Sequence, residues 1–407
     1  MLTTEFPFLR GEPFLEREIF YVAQRFDEVL IFATVPDGQA KPTRVTPENV
    51  RAFPIHVYRN YACKALLSGL FAKKEKYHGL RQSLYGAYCE GMAKGIAKRV
   101  KSRLIPLLSS DDRVVVYSYW FNYLCAASCR LCLDLRSTGI QTEVVSRSHR
   151  HDLYAERKKV GVIPLQKENL RTVDGVYACS ENGREYLIGK YPEDKDRIRA
   201  AYLGVENGDV CASLSAKRFL TASPLRAVKR LEFFAEAFAL FHQRHPEWKW
   251  VMLGGVPSDS PEVEKIVREN KLKDAIIAGG YLSNSDLLRF YRKNPVSYLV
   301  NTSSSEGLPV SMMEAQSFGV PCIGPEVGGV GEIIDEENGF LFPKDISVEG
   351  LADLLERAAN LSEEEYDAKS QKSFARQREW FDADKNFASW ADMLYGLTNV
   401  NADGLGQ

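Results

Sequence analysis

The amino-acid sequence predicts an α/β chain folded as two doubly wound, parallel-sheet domains. Three observations carry this expectation. Short apolar runs of strand length alternate with helix-length stretches in both halves, the pattern of a parallel sheet covered on both faces. The alternation breaks once, over residues 204–216 (GVENGDVCASLSA), where small and polar residues replace it. The 407 residues are enough for two domains of roughly 150–200 residues each.

Taken in order, residues 1–6 supply only a stub of a first strand before the turn Arg10-Gly11-Glu12-Pro13. A helix is expected over 14–26, a buried strand over 28–33, and a polar, Pro/Gly-containing loop over 37–48. A short strand follows at 55–58, then a long helical region over 63–108, interrupted by glycines. Next come a strand at 113–117, a helix at 121–135, a strand at 143–146 and a loop at 147–154. A strand at 175–178, a helix at 181–190 and a strand near 198–203 close the first half. The second half repeats the rhythm: strands at 218–222, 249–253, 275–278, 296–301 and 320–323, and helices at 229–245, 261–270 and 285–292. Helices over 348–360, 363–380 and 385–397 end the chain. The boundary is placed at 210/211, with an N-terminal domain over 1–210 and a C-terminal one over 211–379.

With 45% hydrophobic and 26% charged residues, the composition is that of an ordinary globular protein. A net charge of −1 hides an uneven distribution. Residues 59–103 hold eleven Lys/Arg against two acids, while the C-terminal third is acid-rich. A near-neutral balance and no known module argue against nucleic acid as a partner. There is no uncharged apolar run of ~18 residues and no basic-then-apolar leader, so neither a transmembrane helix nor a signal peptide is expected. The eight scattered cysteines fit a reducing compartment, so the expected location is cytoplasmic.

The chemistry concentrates in residues 303–332, SSSEGLPVSMMEAQSFGVPCIGPEVGGVGE. A polar loop carries Glu306 and Gly307, Pro309 sets the first turn of a helix, and Glu314 lies a turn and a half further on. The first backbone N–H groups of that helix, at Val310 and Ser311, lack intrahelical partners and suit an anion such as phosphate. A second glycine turn, Gly328-Gly329, follows the next strand. Loop, helix, strand and glycine turn together describe a nucleotide pocket at the C-terminal ends of parallel strands.

The Glu306-x7-Glu314 spacing, inside EGLPVSMMEAQSFGVPCIGPEVGGVGEII and followed by NGFLF, resembles the C-terminal signature of retaining glycosyltransferases of the large family 4 type. The resemblance implies a GT-B fold, two Rossmann-like domains facing across a cleft, with the final helices from 380 to 400 crossing back to the N-terminal domain. It implies that Glu306 bonds hydroxyls of the donor sugar and that Glu314 takes the ribose hydroxyls. The backbone of Gly307, Leu308 and Val310 would meet the diphosphate. In this family an Arg and a Lys after the first C-terminal strand neutralise the leaving diphosphate. Lys229 falls at the Lys position, but the Arg position holds Pro224, so either Arg226 or Arg230 reaches the phosphate instead or the site runs on Lys229 and the helix dipole. The turn Gly279-Gly280-Tyr281-Leu282 corresponds to the one beside the nucleotide base.

In the first half, residues 146–154 (SRSHRHDLY), with Glu156-Arg157 and the later CSENGREYLIGKYP, resemble a bacterial branch of these transferases that builds surface polysaccharides. His149 matches the histidine that approaches the donor sugar and phosphate, while His151 reads as local structure. FPFLRGEPFLEREI resembles the branch's first turn, with Gly11 and Glu12 on the acceptor side. As metal ligands, His149, His151 and Asp152 have poor spacing and no partner cluster. Asp382-Ala383-Asp384 reads as helix-start acids, and Cys125, Cys129 and Cys132 as packing on one helical face.

The expectation is therefore a retaining glycosyltransferase needing neither metal nor cofactor. It would move a sugar from a nucleoside diphosphate sugar, UDP favoured, to a growing, lipid-linked glycan. The basic stretch 59–103 would meet an anionic membrane surface, making the enzyme peripheral on the inner membrane face. The rivals are a non-catalytic transferase-like subunit, for which Pro224 speaks, and a glycosidase using Glu306 and Glu314 as its carboxylate pair.

Overall fold

The computed structural model describes residues 1–36, 38, 41–56 and 79–399. The chain divides into two compact units: residues 1–203 with the segment from Lys385 onward, and residues 204–384. Among the described residues the first unit holds seven parallel strands in the order β3-β2-β1-β4-β5-β6-β7. These are Leu2–Thr3, Val29–Val35, Val50–His56, Arg113–Ser118, Gln141–Ser148, Gly175–Ala178 and Ile198–Ala200, numbered β1 to β7 in chain order. The second unit holds six, in the order β10-β9-β8-β11-β12-β13. They are Arg218–Ala222, Lys249–Leu253, Ile276–Gly280, Tyr298–Val300, Cys322–Pro325 and Gly339–Phe342, numbered β8 to β13. Both orders reverse direction at the first strand of the unit, which places a topological switch point beside β1 and beside β8.

The helices of seven or more residues among the described residues are α1 (Leu15–Ala23), α2 (Leu80–Leu104), α3 (Tyr123–Arg136), α4 (Glu181–Lys190), α5 (Leu231–Arg244) and α6 (Pro261–Glu269). They continue as α7 (Asn284–Lys293), α8 (Val310–Gln316), α9 (Val348–Ala359), α10 (Glu363–Trp380) and α11 (Ala383–Gly396). The stub of first strand is real and central: Leu2 pairs with Phe32 on one side and Ser118 on the other. Two residues suffice because both neighbouring strands supply the ladder.

Several boundaries differ from the sequence expectation. Strand β3 begins at Val50, well before the expected 55, because it pairs with β2 over seven residues in register from Val29–Val50 to Val35–His56. Of the long helical region, residues 80–104 form α2, and 57–78 lie outside the described residues. Strand β13 was not expected; its four residues pair with β12 in full register. The unit boundary falls at 203/204, not 210/211. Residues from Gly204 already pack on the second unit: Val205 N–H bonds the Phe381 carbonyl at 2.9 Å, and Ala383 N–H bonds the Val205 carbonyl at 3.1 Å. A Cβ on Gly204 would stand 2.2 Å from the Ala383 Cα, so only glycine fits there.

The expected surface loop from Arg147 is also corrected. Arg147 is the penultimate residue of β5 and its side chain is 0% exposed, as is that of its partner Glu18 on α1. Arg147 Nη2 lies 3.3 Å from Glu18 Oε2. Tyr117 O–H donates to Glu18 Oε1 at 2.9 Å, and Arg147 Nη1 donates to the Ala201 carbonyl at 3.0 Å. The guanidinium lies over the Trp390 ring, 4.0 Å from its centroid. Trp390 belongs to α11, so this buried cation fastens the last helix to the first unit. The cysteines on α3 are buried in the core, and the cysteines of the described residues are all free thiols. Asp382 accepts from Asp384 N–H and from Asn207 Nδ2, each at 2.8 Å, as a helix-start acid does.

Removing one partner of a buried ion pair strands the other charge. Arg147→Met is therefore expected to cost about 3–5 kcal/mol, read by urea denaturation. The double variant Glu18→Leu/Arg147→Met should recover most of the loss.

Candidate active site

The loop after β8 and the loop after β11 are zipped together by their backbones. Thr302 Oγ1 donates to the carbonyls of Lys229 at 2.9 Å and Arg230 at 3.0 Å, and Ser304 N–H bonds the Val228 carbonyl at 2.9 Å. A short helical turn at Ala227–Lys229 and a left-handed Arg230 (φ 49°) turn the chain into α5. The result carries Lys229 into the second loop: its Nζ donates to Glu306 Oε1 at 2.6 Å. Their side chains are 18% and 5% exposed. Asn301, which the sequence reading missed, completes the arrangement. Its Nδ2 donates to Glu306 Oε1 at 3.3 Å while its Oδ1 accepts from Ser303 N–H at 2.8 Å. A small polar cavity beside Lys229 is lined by Ser223, Asn301, Ser303 and Ser311. The Ser303 hydroxyl is buried there without a hydrogen-bond partner.

The glycine turn supports this loop from behind. Gly329 N–H bonds the Gly307 carbonyl at 2.7 Å. Gly328 has φ +55°, and a Cβ on it would stand 2.0 Å from the Glu306 carbonyl oxygen. Any side chain at Gly328 would displace the loop that carries Glu306. Gly307 and Leu308 are buried, and Val310 opens α8 after Pro309. With seven residues α8 is a short helix, so its dipole is a smaller asset to an anion than the sequence suggested.

Glu314, on α8, is buried among apolar neighbours and its carboxylate accepts from Asn284 Nδ2. Burial pushes its pKa up to about 7, and the Asn284 bond partly opposes that. Asn284 is the first residue of α7, directly after the turn formed by Gly280 (φ +62°), Tyr281, Leu282 and Ser283. Tyr281 is exposed and Leu282 partly so. Glu314 and the base-side turn are thus joined by a residue that had not been singled out. Asn284 gave no sequence signal beyond its place at a helix start.

The two arginines near Pro224 are placed differently. Arg230 lies over the Phe233 ring at 4.2 Å and donates to the Lys344 carbonyl at 3.4 Å. Its left-handed backbone turns the side chain onto α5. Arg226 is exposed on the loop ahead of the helical turn. Ser223 and Pro224 run so close to Gly254 that a Cβ on that glycine would stand 2.3 Å from the Ser223 carbonyl.

In the first unit, His149 follows β5. Its N–H donates to Asp152 Oδ1 at 2.6 Å, and Phe121 N–H donates to the other carboxylate oxygen. The His149 ring lies 4.5 Å from the Tyr119 ring and 5.1 Å from that of Trp120. Burial, with Arg147 nearby, lowers its pKa to about 3, so the imidazole is neutral, and Nε2 is buried without a partner. His151 is exposed and lies against Lys158, 3.0 Å from its Nζ. Glu12 proves to be a loop organiser. Its carboxylate accepts from the N–H groups of Thr4, Glu5 and Phe6 at 2.8 Å, from Thr4 Oγ1 at 2.9 Å and from Trp120 Nε1 at 2.6 Å. With five donors on two oxygens, Glu12 shapes the loop and its carboxylate is not an acceptor-side ligand. Gly11 N–H bonds Glu5 Oε2 at 2.6 Å, and a Cβ there would meet that oxygen at 2.7 Å. Among the described residues no group of three or more His, Cys, Asp or Glu could hold a metal ion, and no helix is long and apolar enough to cross a membrane.

Residues 213–377 match the family model Glycosyl transferases group 1. That match lies within the second unit and covers less than half of the chain. Among curated proteins, the chain is 25% identical over 212 residues to the putative glycosyltransferase EpsF of Bacillus subtilis, covering 47% of this chain and 53% of that protein. It is 36% identical over 118 residues to the lipopolysaccharide 1,6-galactosyltransferase of Escherichia coli, covering 28% and 32%. The chain thus spans about half or less of the length of these relatives. Among solved structures, HepE of Anabaena in complex with UDP and glucose superposes with a TM-score of 0.62 at 13% identity, covering 97% of this chain and 98% of that one. That likeness establishes the GT-B fold.

The Glu314 carboxyl should titrate near pH 7 in the ligand-free protein, followed by infrared difference against Glu314→Gln. Asn284→Ala should raise the value further, because the amide bond favours the carboxylate. A carboxyl raised on folding stabilises the protein below its unfolded value near 4.5, and this is lost as pH rises through about 7. A titration near 4.5 in wild type would refute the assignment.

Proposed function

We propose that this chain is a retaining, metal-independent glycosyltransferase. It would move a sugar from a nucleoside diphosphate sugar, UDP favoured, onto a growing, lipid-linked glycan in surface polysaccharide assembly. The observation that carries the reading is the Lys229–Glu306 contact at 2.6 Å, inside the matched family domain. A cation and a carboxylate held at one point serve the two needs of glycosyl transfer. The departing diphosphate gains negative charge as the bond to the anomeric carbon breaks, and Lys229 lowers the energy of that state. Glu306 accepts hydrogen bonds from hydroxyls of the sugar, and its contact with Lys229 holds both groups in place before the donor arrives.

On this reading the open Ser303 hydroxyl donates to a phosphate oxygen, doing part of what an arginine does elsewhere. Glu314, ionised above pH 7, accepts the two ribose hydroxyls as a pure acceptor. The neutral His149 ring accepts a substrate hydroxyl through Nε2. The acceptor oxygen attacks the anomeric carbon on the face the leaving group departs from, and its proton passes to the leaving phosphate. UDP is favoured because HepE is described in complex with UDP and glucose. A surface glycan is favoured because one relative is a lipopolysaccharide galactosyltransferase.

Membrane contact belongs to the same proposal, on a narrower footing than the charge count implied. Residues 57–78 of the basic stretch lie outside the described residues. Of the rest, Lys101 pairs with Asp134 at 3.1 Å and Arg103 donates to the Pro54 carbonyl at 2.7 Å. The exposed set is Leu80, Arg81, Leu84 and Lys98 on α2, with Ile105 and Leu107 beyond it. Reversing Arg81 and Lys98 to Glu should weaken co-sedimentation with anionic liposomes by about 30-fold or more, at ~1 kcal/mol per charge removed and more on reversal; unchanged binding would remove the membrane from the proposal.

The enzymatic reading is tested by turnover with a panel of UDP, GDP and ADP sugars. Lys229→Ala and Glu306→Gln should each lower kcat by ~100-fold or more, with the fold intact by circular dichroism. Near-normal rates in both would overturn the site. Tight donor binding with neither transfer nor slow donor hydrolysis would instead favour a non-catalytic subunit.

A further inference from the structure

A cavity of about 410 Å³ lies wholly within the first unit, within the ~300–1,000 Å³ of small-molecule sites. It opens at the C-terminal ends of β1, β4 and β5, beside the switch point. Its lining combines two chemistries. Part of it is aromatic, formed by Tyr85, Trp120 and Tyr123. The Trp120 ring is held in place by its N–H bond to Glu12 at 2.6 Å. Burial pushes the Tyr85 phenol up to about 12 and that of Tyr123 higher, so both are neutral O–H donors. Such a wall accepts the apolar face of a pyranose ring and its hydroxyls together.

The lining also holds a cation, Lys158. Lys158 Nζ stands 3.0 Å from His151 Nδ1, and both line the cavity. Burial, then Lys158, Arg157 and Arg150, lower the His151 pKa, so the ring is neutral and the charge stays on the lysine. Two carboxylates, Glu5 and Asp152, also line the cavity, each bonded to backbone N–H groups, and Asp152 acts on Lys158 through space. Asp152 takes backbone N–H groups on both oxygens, from His149 and Phe121, and Glu5 takes that of Gly11. Among the described residues Lys158 has no carboxylate in direct contact; its Nζ lies against the neutral His151. A half-buried ammonium with no carboxylate in contact, in a cavity also lined by aromatic rings, is a place for an anion carried on a sugar.

We propose that this cavity is the acceptor subsite and that it selects a sugar bearing an anionic substituent, a phosphate or a carboxylate. The ring packs on Trp120 and Tyr123, and the anionic group pairs with Lys158. The inference rests on the transferase reading for the name acceptor, but binding itself is testable apart from it.

The test is isothermal titration of the full chain with glucose 1-phosphate, glucuronate, glucose and inorganic phosphate. At least one anionic sugar should bind about tenfold tighter than glucose, as a charge-assisted hydrogen bond supplies. Lys158→Gln should erase that margin and leave glucose binding unchanged, and Lys158→Arg should keep it. Tyr85→Ala should weaken glucose and the anionic sugar by the same factor. Tightening with glucose 1-phosphate alone assigns a phosphate; tightening with both assigns either anion. Equal affinity of wild type for neutral and anionic sugars would overturn the proposal. So would a preference that survives Lys158→Gln, or phosphate alone binding as tightly as the sugar phosphate. UDP titrated into each variant is the control. Unchanged UDP affinity shows an intact fold, whereas absent UDP binding in wild type counts against the donor reading and not against this cavity.

Discussion

The contact between Lys229 and Glu306 joins two loops 77 positions apart in the chain, and the rest of the second unit's site depends on it. Neither group could be there alone. An ammonium or carboxylate this shielded pays a desolvation cost that only an opposite charge or several hydrogen bonds offsets. The zipper of Thr302 and Ser304 onto the 227–230 turn brings the two loops within reach, and Gly328 lets the backbone of Glu306 lie against the next turn. Each of these is a packing requirement, and together they leave a cation and a carboxylate at one end of a parallel sheet.

The first unit solves a related problem without chemistry. Arg147 and Glu18 are fully buried, and the guanidinium is covered by Trp390 from the last helix. The pair gains little over an apolar packing, but it makes the position of α11 conditional on a specific partner. Glu12 acts likewise: five donors on one carboxylate fix the loop after β1 and, through Trp120, one wall of the cavity. Here two conspicuous carboxylates organise the fold, so burial of an acid is not by itself a sign of catalysis.

Much of this was legible in the sequence, for identifiable reasons. Strands of four to eight apolar residues with helices between them produced β8, β9 and α10 to the residue, because period and turn chemistry agree there. The Glu306, Glu314 and glycine pattern was legible because it is local. What was not legible depended on tertiary partners. Strand β3 reaches back to Val50 because β2 offers it a ladder, and the four residues of β13 are a strand only beside β12. Asn301 and Asn284, which bind the two glutamates, are ordinary polar residues in loops or at a helix start. Arg147 followed a predicted strand and read as the start of a loop, since nothing in its own neighbourhood announces Glu18 and Trp390.

Pro224 is where local and tertiary reasoning meet. The sequence invited a nearby arginine to take over, and Arg230 is the nearest in number. Its guanidinium instead lies over Phe233 and reaches the Lys344 carbonyl. The positive charge directed at Glu306 is then that of Lys229, already shared with the carboxylate. An incoming diphosphate would meet a neutral pair and neutral hydroxyl donors rather than two cations. Such a site gains its electrostatic advantage only as the leaving group's charge grows, when Lys229 shifts its weight from Glu306 to the phosphate. Interactions that strengthen along the reaction, and not before it, are the ones that raise kcat.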